Sequence, residues 1–148
     1  MKKIIFIVLA LILAACGNTS TEFDQNLTKW NNAGISHYQY QLFIGCFCPF
    51  YEDMPLTIEV KDGEVVSITS VDGTAIDSSD PAYETYNSYA TIDRLFSELG
   101  LDLAGEADEV VVTYDPTYGF PTSIAIDYIK EAIDDELSLQ VSEFQILE

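Results

Sequence analysis

The clearest pattern in the chain is a long alternation of apolar and polar residues between positions 37 and 48. Polar His37, Gln39 and Gln41 occupy one parity. The other parity holds apolar or sulfur-bearing side chains, namely Tyr38, Tyr40, Leu42, Ile44, Cys46 and Cys48. Because successive side chains of a strand point to opposite faces of a sheet, this segment is predicted to be a half-buried strand. Both cysteines fall on its buried side if the strand stays regular that far.

A hairpin follows, in which two short alternating runs flank Asp62-Gly63. A two-residue loop at this point would place Ile58 opposite the polar Ser67. A three-residue loop with a left-handed glycine places Ile58 opposite Val66 and keeps the apolar residues on one face. The three-residue loop is therefore the preferred prediction.

Two other segments have apolar residues at intervals of three and four, as expected of helices. In the first, a cap at Thr21 and a stop at Gly34 enclose Phe23, Leu27 and Trp30. In the second, a cap at Thr91 and a stop at Gly100 enclose Ile92, Leu95, Phe96 and Leu99. The intervening residues 72–90 are rich in Asp, Ser, Tyr and Gly, and they are predicted to be a long surface connection.

The last third of the chain repeats the strand pattern at residues 110–114, 124–128 and 137–141. The parity then shifts to Phe144 and Ile146, which indicates a β-bulge near Ser142. The order of elements is helix, three strands, helix, three strands. It predicts an α+β fold, with an antiparallel sheet of about six strands and two helices on one face, and it hints at two αβββ halves.

The N-terminus has the three zones of an export signal. Lys2 and Lys3 precede the apolar run 4–13, and small residues follow at Leu13-Ala14-Ala15-Cys16. Leu-Ala-Ala-Cys resembles the lipobox of bacterial lipoproteins, which implies cleavage before Cys16 and a diacylglyceryl group on its sulfur. The predicted organisation is a signal peptide at 1–15, a lipidated tether at 16–21 and a single domain at 22–148.

The residue after the cysteine bears on localisation. Gly17 stands there rather than Asp. In a bacterium with two membranes this resembles default sorting to the periplasmic side of the outer membrane. In a bacterium with one membrane, the lipid would hold the domain on the outer face of the cell membrane.

Charge narrows the class of partner. The chain has 25 acidic residues and a formal charge of −19, which becomes −21 once Lys2 and Lys3 are removed with the signal. Such a chain repels nucleic acid and anionic lipid head groups. A basic protein or a cation would suit it, and the alternative is a solvated acidic surface with no ligand.

Five motifs occur in a fixed order: Cys46-Phe47-Cys48-Pro49, residues 61–66, residues 91–96, residues 114–122 and Asp134-Asp135-Glu136. Their order and spacing resemble a bacterial family called domain of unknown function 6174, common among predicted lipoproteins. The resemblance covers nearly all of the chain after about Trp30, and the Tyr-Asp-Pro-x-Tyr-Gly-Phe-Pro-Thr stretch is its most specific part. It implies a fold and an extracytoplasmic setting, and no catalytic residue.

Cys46 and Cys48 are the only thiols left once Cys16 is lipidated. Residues two apart in an extended strand hold their Cα atoms about 6.5–7 Å apart, at the upper limit for a disulfide. A bond therefore needs a local bend, which Gly45 and Pro49 can supply. Three interpretations stay open: a local disulfide, two small buried thiols, or a redox or soft-metal site.

Two loops are further candidates. Tyr114, Asp115, Tyr118 and Phe120 form a candidate binding loop, since aromatic side chains give contact area at low entropic cost. Its alternative is a turn whose aromatic residues fold back onto the sheet. The acidic loop 127–136 could gather around calcium, but its spacing is not that of an EF-hand, and a solvated loop is the alternative.

The sequence favours no enzyme, cofactor or resident metal. It has one histidine, no phosphate-binding loop and no zinc-binding helix motif. The predicted function is a non-catalytic binding or interaction module of the cell envelope. The alternative is a thiol-redox or soft-metal-handling protein that uses Cys46 and Cys48.

Overall fold

A computed structural model describes residues 18–148, with side chains from residue 21 onward. The predicted export signal and the lipidation site Cys16 lie outside the described residues. Within residues 18–148, no helix combines the length and the apolar character needed to cross a membrane.

The chain folds as a six-stranded sheet covered on one face by helices. The helices are α1 (Asn18–Ala33), α2 (Tyr83–Ser88) and α3 (Ile92–Leu101), and a π-turn (Asp102–Glu106) extends α3. The strands are β1 (His37–Gly45), β2 (Leu56–Lys61), β3 (Glu64–Thr69), β4 (Glu109–Tyr114), β5 (Pro121–Asp127) and β6 (Glu136–Ile146). Their order in the sheet is β3-β2-β1-β6-β5-β4, and every pairing is antiparallel. The predicted α+β class, with two main helices and six strands, is confirmed.

The helices pack on the face that β1 makes apolar. Tyr38, Tyr40, Leu42 and Ile44 are all buried there. The Tyr38 hydroxyl accepts a hydrogen bond of 3.1 Å from the backbone N–H of Ile92, at the start of α3. The Tyr40 hydroxyl donates a hydrogen bond to the backbone carbonyl of Tyr89. The buried hydroxyls of Tyr38 and Tyr40 thus both have a partner in the helical layer.

Aromatic rings join α1 to the sheet. The Trp30 ring meets Tyr38 edge-on, with centroids 5.5 Å apart, and Phe120 stacks on Phe144 at 4.5 Å. Trp30 also contacts both of those phenylalanines edge-on. Because Phe120 belongs to the β4–β5 loop and Phe144 to β6, this aromatic cluster fixes the loop, α1 and the end of the sheet together.

Two helix boundaries differ from the prediction. Helix α1 begins at Asn18, so Thr21 lies inside it and the predicted tether is helical from residue 18. Helix α3 continues through Gly100, and the helical turns end near Gly105, whose φ is 114°. A Cβ at Gly100 would stand 3.5 Å from the ring of Phe23, an ordinary van der Waals contact, so this position does not require glycine. The stop at Gly34 and the cap at Thr91 are confirmed, the latter by a 3.1 Å hydrogen bond to Arg94.

The predicted register of the β2–β3 hairpin is wrong. Lys61 pairs with Glu64 across a two-residue turn in which Asp62 and Gly63 both have positive φ. A register shift follows, so Ile58 lies opposite Ile68 rather than Val66. The extra residue turns Val66 outward and restores the apolar face. The bulge predicted near Ser142 is confirmed at the β1–β6 pairing, where Glu143 has a φ of 51°.

The segment 72–90 is only partly a surface connection. Ile76 and Tyr86 are buried, and Tyr86 belongs to helix α2. The Tyr86 hydroxyl donates a 2.5 Å hydrogen bond to a carboxylate oxygen of Asp53. The segment was misjudged because its few apolar residues are widely spaced among polar ones and produce no periodic pattern.

Gly119 provides a test of the contact between α1 and the β4–β5 loop. Its φ is 84°, and an added Cβ would stand 2.6 Å from the carbonyl oxygen of Asn26 in α1. Gly63 has a similar φ of 81° with open space around it. Gly63→Ala should therefore cost only the left-handed backbone term, about 1–2 kcal/mol. Gly119→Ala should cost at least about 1 kcal/mol more, since the loop must also move away from the helix.

The measurement is the free energy of unfolding of both variants and the wild type in urea. Equal losses for the two variants would show that the loop does not depend on its contact with α1.

Candidate functional site

One face of the sheet carries no helix and is the candidate site. Its side chains are the partly or fully exposed residues that alternate with the core, such as Gln41 and Phe43 on β1 and Ser123 on β5. We call this surface the open face. Antiparallel sheets commonly leave one face to water, so exposure alone does not indicate function.

A groove crosses the open face near the end of β1. Its floor is a row of small or aliphatic residues that neighbour one another across four strands: Gly45, Ser138, Ala125 and Val111. The groove has a volume of about 300 Å³. Gly45 is needed for its shape, because a Cβ at this position would collide with the hydroxyl of Ser138. Val111 is 56% exposed, so part of the floor is apolar surface in contact with water.

The next row of side chains forms an acidic wall along the groove. Glu109 pairs with Asp127, and Asp127 pairs with Glu136, on three adjacent strands. Adjacent strands lie about 4.8 Å apart, so three carboxylates stand side by side. Lys130 reaches only one of them, Glu109, at 3.2 Å, and both side chains of that pair are more than half exposed. An exposed pair of this kind contributes little, so the wall keeps its negative character.

Desolvation and repulsion within the acidic wall raise the pKa of Asp127, the carboxylate at its centre. Desolvation beside the strands raises the pKa of Asp127, and the negative charges of Asp135, Glu136, Glu109 and Asp108 raise it further. Like charges on neighbouring strands repel one another, so the native state holds Asp127 ionised less readily than the unfolded chain does. A positively charged group in the groove would relieve this repulsion.

Aromatic residues border the groove at β1. Phe43 lies on the open face, and Tyr51 meets it edge-on with ring centroids 5.8 Å apart. Tyr51 is 62% exposed, and Phe47 on the adjoining loop is 85% exposed. The open face therefore combines an acidic wall with the exposed ring of Tyr51 packed against Phe43.

Cys46 and Cys48 form a disulfide with Cα atoms 5.2 Å apart. Strand β1 ends at Gly45, so the expectation of an extended strand through both cysteines is wrong, and each is half-buried. The bend that the bond needs is a tight turn, in which the N–H of Cys48 donates to the carbonyl of Cys46 at 2.8 Å. Both sulfur atoms are used in this bond. A soft-metal role requires the reduced pair, whereas a redox role would cycle between the disulfide and the two thiols; both roles stay predictions.

The candidate binding loop folds back onto the sheet. Phe120 is buried in the aromatic cluster, and Tyr118 lies half-buried with its ring 6.0 Å from that of Phe144. Asp115 organises the turn by accepting hydrogen bonds from the N–H groups of Thr117 and Tyr118. Tyr114 stacks against Phe96 of α3. These four residues therefore shape the loop, and their side chains do not form an exposed aromatic tip.

The acidic loop 127–136 is held by one of its own carboxylates, Asp135, and by Asp108 from outside the loop. Asp135 accepts a hydrogen bond from the N–H of Ile129, and Asp108 accepts one from the N–H of Lys130. In the described part of the chain, no group of three or more acidic, histidine or cysteine side chains is arranged to hold a metal ion. The single histidine, His37, contacts Glu59 at 2.9 Å, near the start of β1 and away from the cysteines at its other end.

Sequence reasoning missed the groove and its acidic wall. Asp127 and Glu136 were noted only as members of a loop, and Glu109 and Gly45 were not singled out as ligand-binding residues. Alternation along each strand assigns these residues to a face, but only the register across β1, β6, β5 and β4 makes them neighbours.

The raised pKa of Asp127 predicts a gain in stability when its charge is removed. Because the native state takes up this proton at a higher pH than the unfolded chain, stability falls as pH rises through that pKa, and the penalty is complete at neutral pH. Asp127→Asn should therefore raise the melting temperature at pH 7. The difference should vanish below about pH 4, where the carboxyl is protonated in both states.

Asp77→Asn is the matched control. Hydrogen bonds from the side chain and backbone of Ser79 lower the pKa of Asp77, so this substitution should lower the melting temperature at pH 7. Thermal unfolding of both variants at pH 3.5 and pH 7 checks the signs. A lower melting temperature for Asp127→Asn at pH 7 would contradict the repulsion described above.

Comparison with known proteins adds a family and no activity. No curated protein and no solved structure matches the chain. A family model described as a family of unknown function, DUF6174, matches residues 22–146, which include every strand of the sheet. The resemblance seen in the sequence motifs is thus confirmed, and the chain belongs to the family of unknown function DUF6174.

Proposed function

We propose that this chain is a non-catalytic binding protein of the bacterial envelope, anchored by lipid on Cys16, whose open face holds a basic protein. The observation that carries the proposal is the row of Glu109, Asp127 and Glu136 beside a floor of small residues. Like charges on adjacent strands repel one another, and a basic group bound beside them would remove that cost.

The groove suits a lysine or arginine side chain of the partner. These side chains have an apolar stem and a charged head. The stem would lie on Val111 and Ala125, and the head would reach the acidic wall. The exposed rings of Phe47 and Tyr51 would contact apolar side chains around that charge, because interfaces draw on exposed aromatic residues.

Long-range attraction supports the same partner. A formal charge of −21 on the exported part draws basic proteins from a distance and speeds their encounter. Net charge alone selects no site. The wall and the groove add a local feature that a merely solvated acidic surface does not need.

The proposed anchor is compatible with an accessible open face. In the sequence, Cys16 lies two residues before Asn18, where the described part of α1 starts, and α1 packs on the covered face of the sheet through Trp30 and Phe23. A lipid on Cys16 would therefore pull on the helical layer and leave the open face free for a partner. Two or more acyl chains hold a protein firmly at a membrane.

The anchor is tested by replacing the lipidated residue. Expressed with its full signal in a bacterial host, the wild-type chain should incorporate radiolabelled palmitate and stay with the membrane fraction. Cys16→Ala should lose the label, since no sulfur is left to carry the lipid. Label on the Cys16→Ala chain, or a wild-type chain without label, would contradict the lipid anchor.

The acidic wall is tested by removing its charges together. In Glu109→Gln/Asp127→Asn/Glu136→Gln, affinity for a small basic protein such as cytochrome c should fall on the order of tenfold or more at low salt. The partner loses three close charges in this variant. Titration calorimetry at two salt concentrations gives the measurement.

The matched control changes net charge equally at other exposed positions: Glu52→Gln/Glu64→Gln/Glu84→Gln. Its affinity should stay within about threefold of the wild type, because the wall is intact. Equal losses for the two triple variants would show that cytochrome c senses only net charge, and the proposed site would be withdrawn.

A further inference from the structure

The two edges of the sheet differ in how they are protected. Beyond β3, the chain returns alongside the strand, where Thr69 bridges to Ala75 and the N–H of Ile76 donates to the carbonyl of Ile68 at 2.9 Å. Beyond β4, none of the described residues supplies a comparable backbone partner. An edge strand carries a row of unpaired N–H and C=O groups, so β4 can accept a further strand.

The edge at β4 is the outer end of the acidic wall and of the groove. Glu109 ends the acidic row, and Val111 ends the floor. On the covered side of the same strand, Val110 and Val112 are only half-buried at the margin of the core. A strand added beside β4 would continue all of these rows, with its own side chains alternating between the two faces.

We propose that the partner binds through an extended basic segment that adds to β4 as a seventh, antiparallel strand. This inference rests on the proposed function. Lysine or arginine of the segment would face the open side beside Glu109. Apolar residues would alternate with them and cover Val110 and Val112. Main-chain hydrogen bonds to β4 give the segment its position, and the acidic wall selects its charge.

Charge complementarity decides between this occupant and a second copy of the chain. A β4–β4 pairing would bring together two molecules of charge −21 and two copies of Glu109 near one edge. Like charges on neighbouring strands disfavour such a pairing, whereas a basic segment neutralises the edge.

The test uses the full domain and a synthetic peptide, acetyl-Lys-Val-Lys-Val-Lys-Val-Lys-amide. The control peptide has the same side chains and charge but carries N-methyl groups on every residue, which removes the backbone donors of both edges. We expect the first peptide to bind at least about tenfold more tightly than the second in calorimetric titrations. At saturation it should slow hydrogen exchange of β4 amides severalfold, while β3 amides keep their rates.

Two lysine variants test whether the peptide binds at the β4 edge rather than at the β3 edge. Val111 and Val66 are similarly exposed valines, at 56% and 55%, in β4 and β3. Because lysine on an edge discourages strand pairing and repels a basic segment, Val111→Lys should weaken peptide binding on the order of tenfold. Val66→Lys, with the same change in net charge, should weaken it less than threefold.

Each contrary outcome has a distinct meaning. If both peptides bind equally and β4 amides keep their exchange rates, the added strand is refuted while binding to the open face stands. If neither peptide binds, the added strand is refuted, and the titrations with cytochrome c decide the proposed function separately. If the free protein sediments as a dimer and its β4 amides are already protected, a second copy occupies the edge and the basic segment is excluded.

Discussion

The pairing of β1 with β6 is the constraint on which the rest of the structure depends. It joins the two groups of three strands at the centre of the sheet, and seven residue pairs define its register. Because side chains alternate along a strand, this one register turns Tyr38 and Leu42 to the helices and Gln41 and Phe43 to the open face. A slip by one residue would exchange the two faces of half the sheet.

The same pairing brings distant parts of the sequence into one groove. Gly45 contributes the end of β1, and Ser138 lies opposite it near the start of β6. Val111 and Ala125 then extend the floor to the β4 edge. The covered face is fixed by buried aromatic and aliphatic packing, so the open face is free to carry repelling charges that a core could not hold.

The sequence predicted those parts of the fold that local patterns determine. Alternation located the strands, and helical spacing with a cap at Thr91 located α3. The predicted β2–β3 register was wrong because a hairpin with a bulge near Val66 and one with a longer turn bury similar sets of apolar side chains. Tyr86 and Ile76 were missed because isolated apolar residues within a polar stretch carry no periodic signal. The acidic wall could not be predicted from the sequence because its three carboxylates become neighbours only through the register of β4, β5 and β6.

We propose that the open face, beside its acidic wall, is where the domain meets a basic protein. The most direct measurement is carbodiimide cross-linking of the full chain expressed in its native host, which joins carboxylates to lysines in contact, followed by mass spectrometry. We expect links from Glu109, Asp127 or Glu136 to lysines of a basic protein. Links that start mainly from carboxylates on the helical side, such as Glu22 or Glu98, would contradict binding at the open face.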